Sequence, residues 1–297
     1  MDCIRGTPIN EAHLSAPLID RDAAAALMAP LTDLVIRAGA AILAVNRHVM
    51  KVDGKQDGSP VTEADHAADR IIGEGLATLM PTIPAVSEER ECPAGLPFRG
   101  SFFLIDPLDG TKEYVAGRSE FTVNLALVTD GTPLLGIIGA PALGLIWRGL
   151  VGRGAERLTM AGSSAQPATA IHTRRLPPPG KPWIAAVSRS HGDARTEAFI
   201  DARPGATRAE LGSAVKFGRV AEGAVDIYPR LAPTSEWDIA AGHAIVTAAG
   251  GKVANAAGAT LRFGQGTKDF IVPEFIAWGD PAAARAFSVL IESEPKL

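Results

Sequence analysis

The chain has 297 residues, 46% apolar and 21% charged, with a formal net charge of −4. This supports one large or two middling globular domains with an ample core, and it argues against nucleic acid or an anionic membrane as the main partner. A small anionic substrate held by local cations or metals fits. Two cysteines, Cys3 and Cys92, show neither zinc-site spacing nor a disulfide framework, which suits a reducing compartment. No unbroken apolar run reaches the roughly 18–20 residues of a membrane helix, and the first residues lack a signal peptide's apolar core. The expectation is a cytoplasmic protein with no integral membrane segment, peripheral contact with the inner membrane being left open.

In chain order, residues 1–22 show no periodicity and read as a leader, disordered in expectation. The stretch 22–50 is rich in helix formers with apolar spacing and predicts a helix, broken at Pro30. Residues 52–60, VDGKQDGSP, form a turn cluster. Thr62 followed by Asp65 predicts a capping box opening a second helix. Short strands are predicted at 85–87, 101–106, 121–128, 134–140 and 145–151, with Asp130-Gly131 as a hairpin turn. The half from 23 to 160 therefore reads as helices on a mainly antiparallel sheet. A polar, Pro-rich stretch at 160–182 marks the expected seam. The half from 161 to 297 alternates: strand 183–188, helix 193–200, helix 214–223, strand 224–228, then a helix from Ser235 to the Gly250-Gly251 pair. The fold class is α/β (α+β), with a parallel or mixed second sheet.

The apolar run Phe102-Phe103-Leu104-Ile105 leads straight into Asp106 and Asp109, followed by Gly110 and Thr111. Two readings stand on these residues alone. One is an Asp-rich turn whose carboxylates bond their own backbone. The other is a ligand set for a hard divalent cation, which would relieve the cost of burying like charges side by side. The phosphatase signature with aspartates two apart, the first a covalent nucleophile, is excluded because these are three apart. Asp65 and Asp238 each follow a Thr or Ser cap by three residues, and singly each reads as a capping acid. Glu88 and Glu89 singly read as a solvated pair.

Taken together, TEAD (from Thr62), SEE (from Ser87), DPLDGTKEY (from Asp106), GSAVKF (from Gly212) and WDIAAGH (from Trp237) resemble the lithium-sensitive, magnesium-dependent phosphatases related to inositol monophosphatase. Within them the chain is most similar to the bacterial CysQ branch, the 3′(2′),5′-bisphosphate nucleotidases, over residues 28–280. The resemblance implies a layered αβαβα sandwich, two or three Mg2+ ions, a small phosphorylated substrate and a homodimer. It further implies that Glu88, Asp106, the Leu108 carbonyl, Asp109 and Asp238 hold metals, with Asp65 serving a weaker one. Thr111, with Glu88, would position the attacking water, and backbone N–H groups after Gly110 would bind phosphate.

Arg230, where inositol-selective relatives carry a Glu, suits a second phosphate, although it also reads as an exposed charge. Ser188, Arg189, His191, Ser213 and Lys216 are further candidates for the substrate. His243 reads as helix packing. The implied reaction removes the 3′-phosphate of adenosine 3′,5′-bisphosphate, and of its sulfated form, in sulfur assimilation or nucleotide recycling. An inositol or fructose-1,6-bisphosphate phosphatase, and a non-catalytic nucleotide or metal sensor, are the alternatives.

Overall fold

The computed structural model describes residues 16–47, 52–54, 60–90, 97–161, 164–177, 181–190, 192–203, 205–266 and 270–284. Most of the expected leader, residues 1–15, lies outside them. Its last part is not loose. Ala16 N–H donates to the Arg99 carbonyl, Ser101 N–H to that of Pro17, and Ile19 N–H to the Ser101 hydroxyl. Helix α1 (Arg21–Ala44) then starts from Asp20, whose carboxylate accepts from Ala23 N–H at 2.8 Å. It runs through Pro30 instead of breaking there. Ala24, Leu31, Leu34, Val35, Ala38 and Ile42 are buried along one face, and that packing offsets the roughly 3 kcal/mol cost of an internal proline. Among the described residues α1 is the one helix long and apolar enough to cross a membrane by length and composition; here one of its faces packs on a sheet.

The expected turn cluster carries a small antiparallel ladder of β1 (Val52–Gly54) and β2 (Pro60–Thr62). Helix α2 (Glu63–Leu79) begins with the predicted capping box of Thr62 and Asp65. The first sheet comprises β3 (Ala85–Ser87), β4 (Ser101–Asp109), β5 (Thr122–Thr129), β6 (Thr132–Ala140), β7 (Leu145–Leu150), β8 (Gly154–Ala161), β9 (Ser164–Ala165) and β10 (Thr169–Ile171). Its order is β10-β8-β7-β6-β5-β4-β3, with β9 beside β8 and only β3 and β4 parallel. Asp130 and Gly131 both have positive φ, 48° and 68°, as the tight turn between β5 and β6 requires. The stretch expected as the seam thus carries two short strands of this sheet. A short helix, α3 (Thr111–Val115), follows β4 directly.

The second sheet is built from β11 (Ile184–Ser188), β12 (Thr207–Leu211), β13 (Ile227–Arg230), β15 (Lys252–Ala254) and β17 (Phe275–Trp278), in the order β12-β11-β13-β17-β15. It is mixed: β11 runs parallel to β12 and β13, and β17 antiparallel to β13 and β15. Helices α4 (Ala194–Asp201), α5 (Val215–Ala221) and α6 (Glu236–Ala248) accompany it, with a small ladder of β14 (Thr234–Ser235) and β16 (Ile271–Val272). The strand expected at 224–228 lies three residues later. After α5 the chain turns through Gly223, and the Asp226 side chain is taken up by Arg174 and by Ile184 N–H, so pairing starts at Ile227.

Both faces of the first sheet are buried, which explains its nearly continuous apolar strands. Phe103, Ile105, Leu125 and Ile137 face α1 and α2. Phe102, Leu104 and Ile138 share a core with Phe217 of α5, Ile245 of α6 and Phe275 of the second sheet. On the far side of the second sheet, Phe199 and Ile200 of α4 pack on Ile227 and Trp278. The architecture is the αβαβα sandwich. Helix α6 lies so close to β6 that a Cβ on Gly136 would stand 2.2 Å from the Ala241 carbonyl oxygen.

Candidate active site between the two sheets

Strand β4 does not stop at Asp106. It continues to Asp109 through a register shift in which Asp106 pairs with Asn124 and Asp109 with Thr122. Three steps on β4 match two on β5, which defines a bulge. In a regular strand, residues three apart point to opposite faces; the extra residue turns both aspartates to the α6 side, while Leu108 stays in the opposite core. Gly110 follows at φ 86°, a left-handed conformation that favours glycine, and α3 starts at once. The Thr111 hydroxyl lies 3.2 Å from Asp65 Oδ1 and 3.1 Å from the Leu108 carbonyl. Asp65 is therefore both capping acid and neighbour of the site: its Oδ2 accepts from Thr62 N–H and hydroxyl at 2.8 and 2.6 Å.

Carboxylate oxygens of Glu88, Asp106 and Asp238 lie within 4.8 Å of one another. Asp106 is 1% exposed. Burial, followed by Glu88, Asp109, Asp238 and Glu89, pushes it well above the usual carboxylate range. Asp238 arrives from the first turn of α6, where it accepts from the Thr234 hydroxyl and Ser235 N–H. It is pushed up to about 7, first by burial and then by Asp109. Asp109 is held by Asn124 and Thr122, at 3.4 and 3.5 Å. Four carboxylates that repel one another, all offering oxygen, fit a hard divalent cation better than any other ligand class.

The second half faces this cluster with cations. Lys216 is buried; its Nζ donates to the Ser213 and Leu211 carbonyls at 2.6 and 3.2 Å, and burial lowers it to about 8. Arg230 ends β13 and donates to the Pro233 carbonyl. Ser213, at φ 52°, donates its hydroxyl to the Asp109 carbonyl at 2.9 Å and lies 2.6 Å from the Thr122 hydroxyl. It is not the cap of α5, which begins at Val215 behind Ala214.

A cleft of about 230 Å3 brings together Glu88, Asp106, Leu108, Asp109, Gly110, Thr111, Ser188, Ser213, Lys216, Arg230 and Asp238. Asp65 sits behind Thr111, outside the lining. Arg189 turns away to pair with Glu120 and the Glu210 carbonyl. His191 lies outside the described residues. His243 is buried edge-on to Phe263, with neither ring nitrogen bonded among the described residues. The sequence reading missed Thr122 and Asn124, although two polar residues on one side of an otherwise apolar strand were a visible signal. It also passed over Trp237 and Tyr228, which line the cleft but carry no pattern that separates them from core aromatics.

The sequence pattern of the inositol monophosphatase family matches residues 24–289. The chain belongs to that family, whose members are metal-dependent phosphatases. It is 40% identical over 225 residues to the 3′(2′),5′-bisphosphate nucleotidase CysQ of Escherichia coli, covering 74% of this chain and 87% of that protein. To its namesake in Salmonella typhimurium it is 40% identical over 242 residues, 80% and 94% of the two chains. The crystal structure of CysQ from Bacteroides thetaiotaomicron superposes with a TM-score of 0.70 at 31% identity, covering 84% of this chain and 96% of that one.

Proposed function

We propose that this phosphatase removes the 3′-phosphate of adenosine 3′,5′-bisphosphate, giving AMP and phosphate, and that the sulfated nucleotide is a second substrate. The observation that carries this reading is the arrangement of one cleft: a carboxylate cluster on one wall and Lys216 with Arg230 on the other. A single phosphate needs the first wall. A second phosphate gives the cations of the other wall a partner. The names of the CysQ relatives point the same way.

In this reading Glu88, Asp106, the Leu108 carbonyl, Asp109 and Asp238 hold Mg2+, with Asp65 serving a weaker site. The chemistry the cation supplies when bound is neutralisation of phosphoryl charge and a lower pKa for water. The chain's own groups do the rest. The Thr111 hydroxyl donates a hydrogen bond to Asp65 Oδ1 and keeps its lone pairs to orient the incoming water. Water adds at phosphorus as the bond to the 3′-oxygen breaks; the water gives up one proton to solvent and the departing oxygen takes one from solvent, leaving AMP and inorganic phosphate. The backbone of Gly110 and Thr111 contacts the reacting phosphate. Lys216 and Arg230 bind the 5′-phosphate, and Ser188 lies at the edge of that subsite. Ser213 acts by fixing Asp109. A cytoplasmic location and a homodimer belong to the same reading; sedimentation of the purified protein gives the mass.

The test is phosphate release at fixed magnesium from adenosine 3′,5′-bisphosphate, inositol 1-phosphate and fructose 1,6-bisphosphate. The nucleotide is expected to lead by at least about tenfold in kcat/KM, about 1.4 kcal/mol of transition-state binding. Equal rates on all three leave the metal site standing and remove the substrate assignment.

A further inference from the structure

Glu88 sits in a turn, not in a strand, yet it must meet Asp106 and Asp238. Two sets of bonds hold that turn. From below, Glu88 N–H donates to the Ile105 carbonyl of β4 at 3.1 Å. From the side, α2 reaches over through Asp69, which is 9% exposed. Asp69 Oδ1 accepts from the Ser87 hydroxyl at 2.7 Å and Oδ2 from Arg90 Nε at 2.8 Å, while its backbone carbonyl accepts from Arg90 Nη2 at 3.0 Å. The turn closes on itself by Arg90 N–H to the Ser87 carbonyl, 3.2 Å. Glu88 and Glu89 are thus bracketed by two residues anchored to one aspartate.

The guanidinium lies flat on α2 where the helix carries no side chain. A Cβ on Gly73, one turn after Asp69, would stand 1.9 Å from Arg90 Nη2 and 2.6 Å from its central carbon. Asp65 and Asp69 are also four apart, on one side of α2. The first touches Thr111, and the second grips the Glu88 turn. One rigid helix therefore spaces the water-orienting hydroxyl from the Glu88 carboxylate.

We propose that Asp69, Arg90 and Gly73 form a positioning clamp that sets the affinity of the site for its divalent cation by fixing Glu88. None of the three lines the cleft, so none is a catalytic residue. The inference rests on the reading of Glu88 as a metal ligand. Partners that orient metal ligands from behind typically change affinity by about 10–100-fold when removed.

The test is calorimetric titration of the metal-free protein with Mn2+, together with the melting temperature without metal. Arg90→Ala and Gly73→Ala are expected to weaken Mn2+ binding by about tenfold, and Arg90→Lys to recover part of the loss by keeping one contact to Asp69. Gly73→Ala is the sharp variant, because alanine suits a helix better than glycine. A purely structural role predicts a lowered melting temperature, from the lost bonds between Arg90 and Asp69, with unchanged Mn2+ affinity. Binding within twofold of the natural protein in both alanine variants overturns the clamp, whatever happens to the melting temperature. If the natural protein binds Mn2+ but hydrolyses none of the three substrates, the proposed function fails, and weaker binding by the variants still supports the clamp.

Discussion

The two walls of the cleft are built differently. The carboxylate wall comes largely from one continuous stretch, Asp106 to Thr111, in which a bulge, a left-handed glycine and a helix start succeed one another within six residues. The cationic wall is assembled from separate segments: the end of β11, the approach to α5 with its first turn, and the end of β13. It reaches the first wall through hydrogen bonds between the halves. Ser213 bonds to Thr122 and Asp109, Gly212 N–H to Glu120, and the Ser190 hydroxyl to Glu113. A short stretch whose bulge is fixed by pairing with β5 holds charges that must be placed closely. In the proposed function, the composite wall selects for the further groups of the substrate, with Ser213 tying it to the bulge.

The largest expected effect lies on the first wall. Asp106→Asn should lower kcat by at least about 10³-fold, a loss on the order of 4 kcal/mol. The metal-free protein should melt at the same or a higher temperature, since a buried, self-repelling charge is gone. Activity retained in this variant would break the assignment of the carboxylate wall.

A second effect probes α6, which carries Asp238. Burial holds His243 down to about 4, against 6.5 in an unstructured chain. Between those values the unfolded chain takes up a proton that the folded protein refuses. The His243 contribution to stability is therefore complete above about pH 6.5 and is lost as the pH drops, by about 3 kcal/mol near pH 4, opposite in sign to that of the buried acids Asp238 and Glu236. In urea unfolding, the stability of His243→Leu relative to the natural protein should rise by about 3 kcal/mol between about pH 6.5 and about pH 4. Parallel curves would remove His243 as the cause.

On the second wall, Arg230→Ala and Lys216→Met should each lower kcat/KM on adenosine 3′,5′-bisphosphate by about 10–100-fold, the range of a charge-assisted hydrogen bond of about 1.5–3 kcal/mol. Activity on adenosine 3′-monophosphate should change by less than about threefold, since no second phosphate is present. Equal losses on both substrates would place these cations at the reacting phosphate instead and erase the contrast between the walls. The smallest effect is that of Ser213→Ala, which removes one bond between the halves: about 1 kcal/mol of stability in denaturant melts, with KM rising more than kcat falls.

Sequence alone carried the acidic residues that gather in the cleft and much of its scaffold. The capping boxes at Thr62 and Ser235 are local, set by residues three apart, and both form as their spacing requires. Asp130-Gly131 chose its turn because left-handed backbone there suits those residue types. The two-sided burial of β4 and β5 was written in their unbroken apolar runs. What depends on distant partners was not legible. Pro30 looked like a break because its cost is local, while the core face that offsets it forms only against the sheet. The start of β13 was shifted by Asp226, whose partners Arg174 and Ile184 are more than 40 residues away in the chain.

The site divides in the same way. That Asp106 and Asp109 are paired acids is plain from six letters. That they share one face is decided by the pairing of β4 with β5, because only a partner strand defines a bulge. Which cations look back at them, and that Arg189 does not, follows from how the two halves close on each other, a long-range fact that no window of sequence contains.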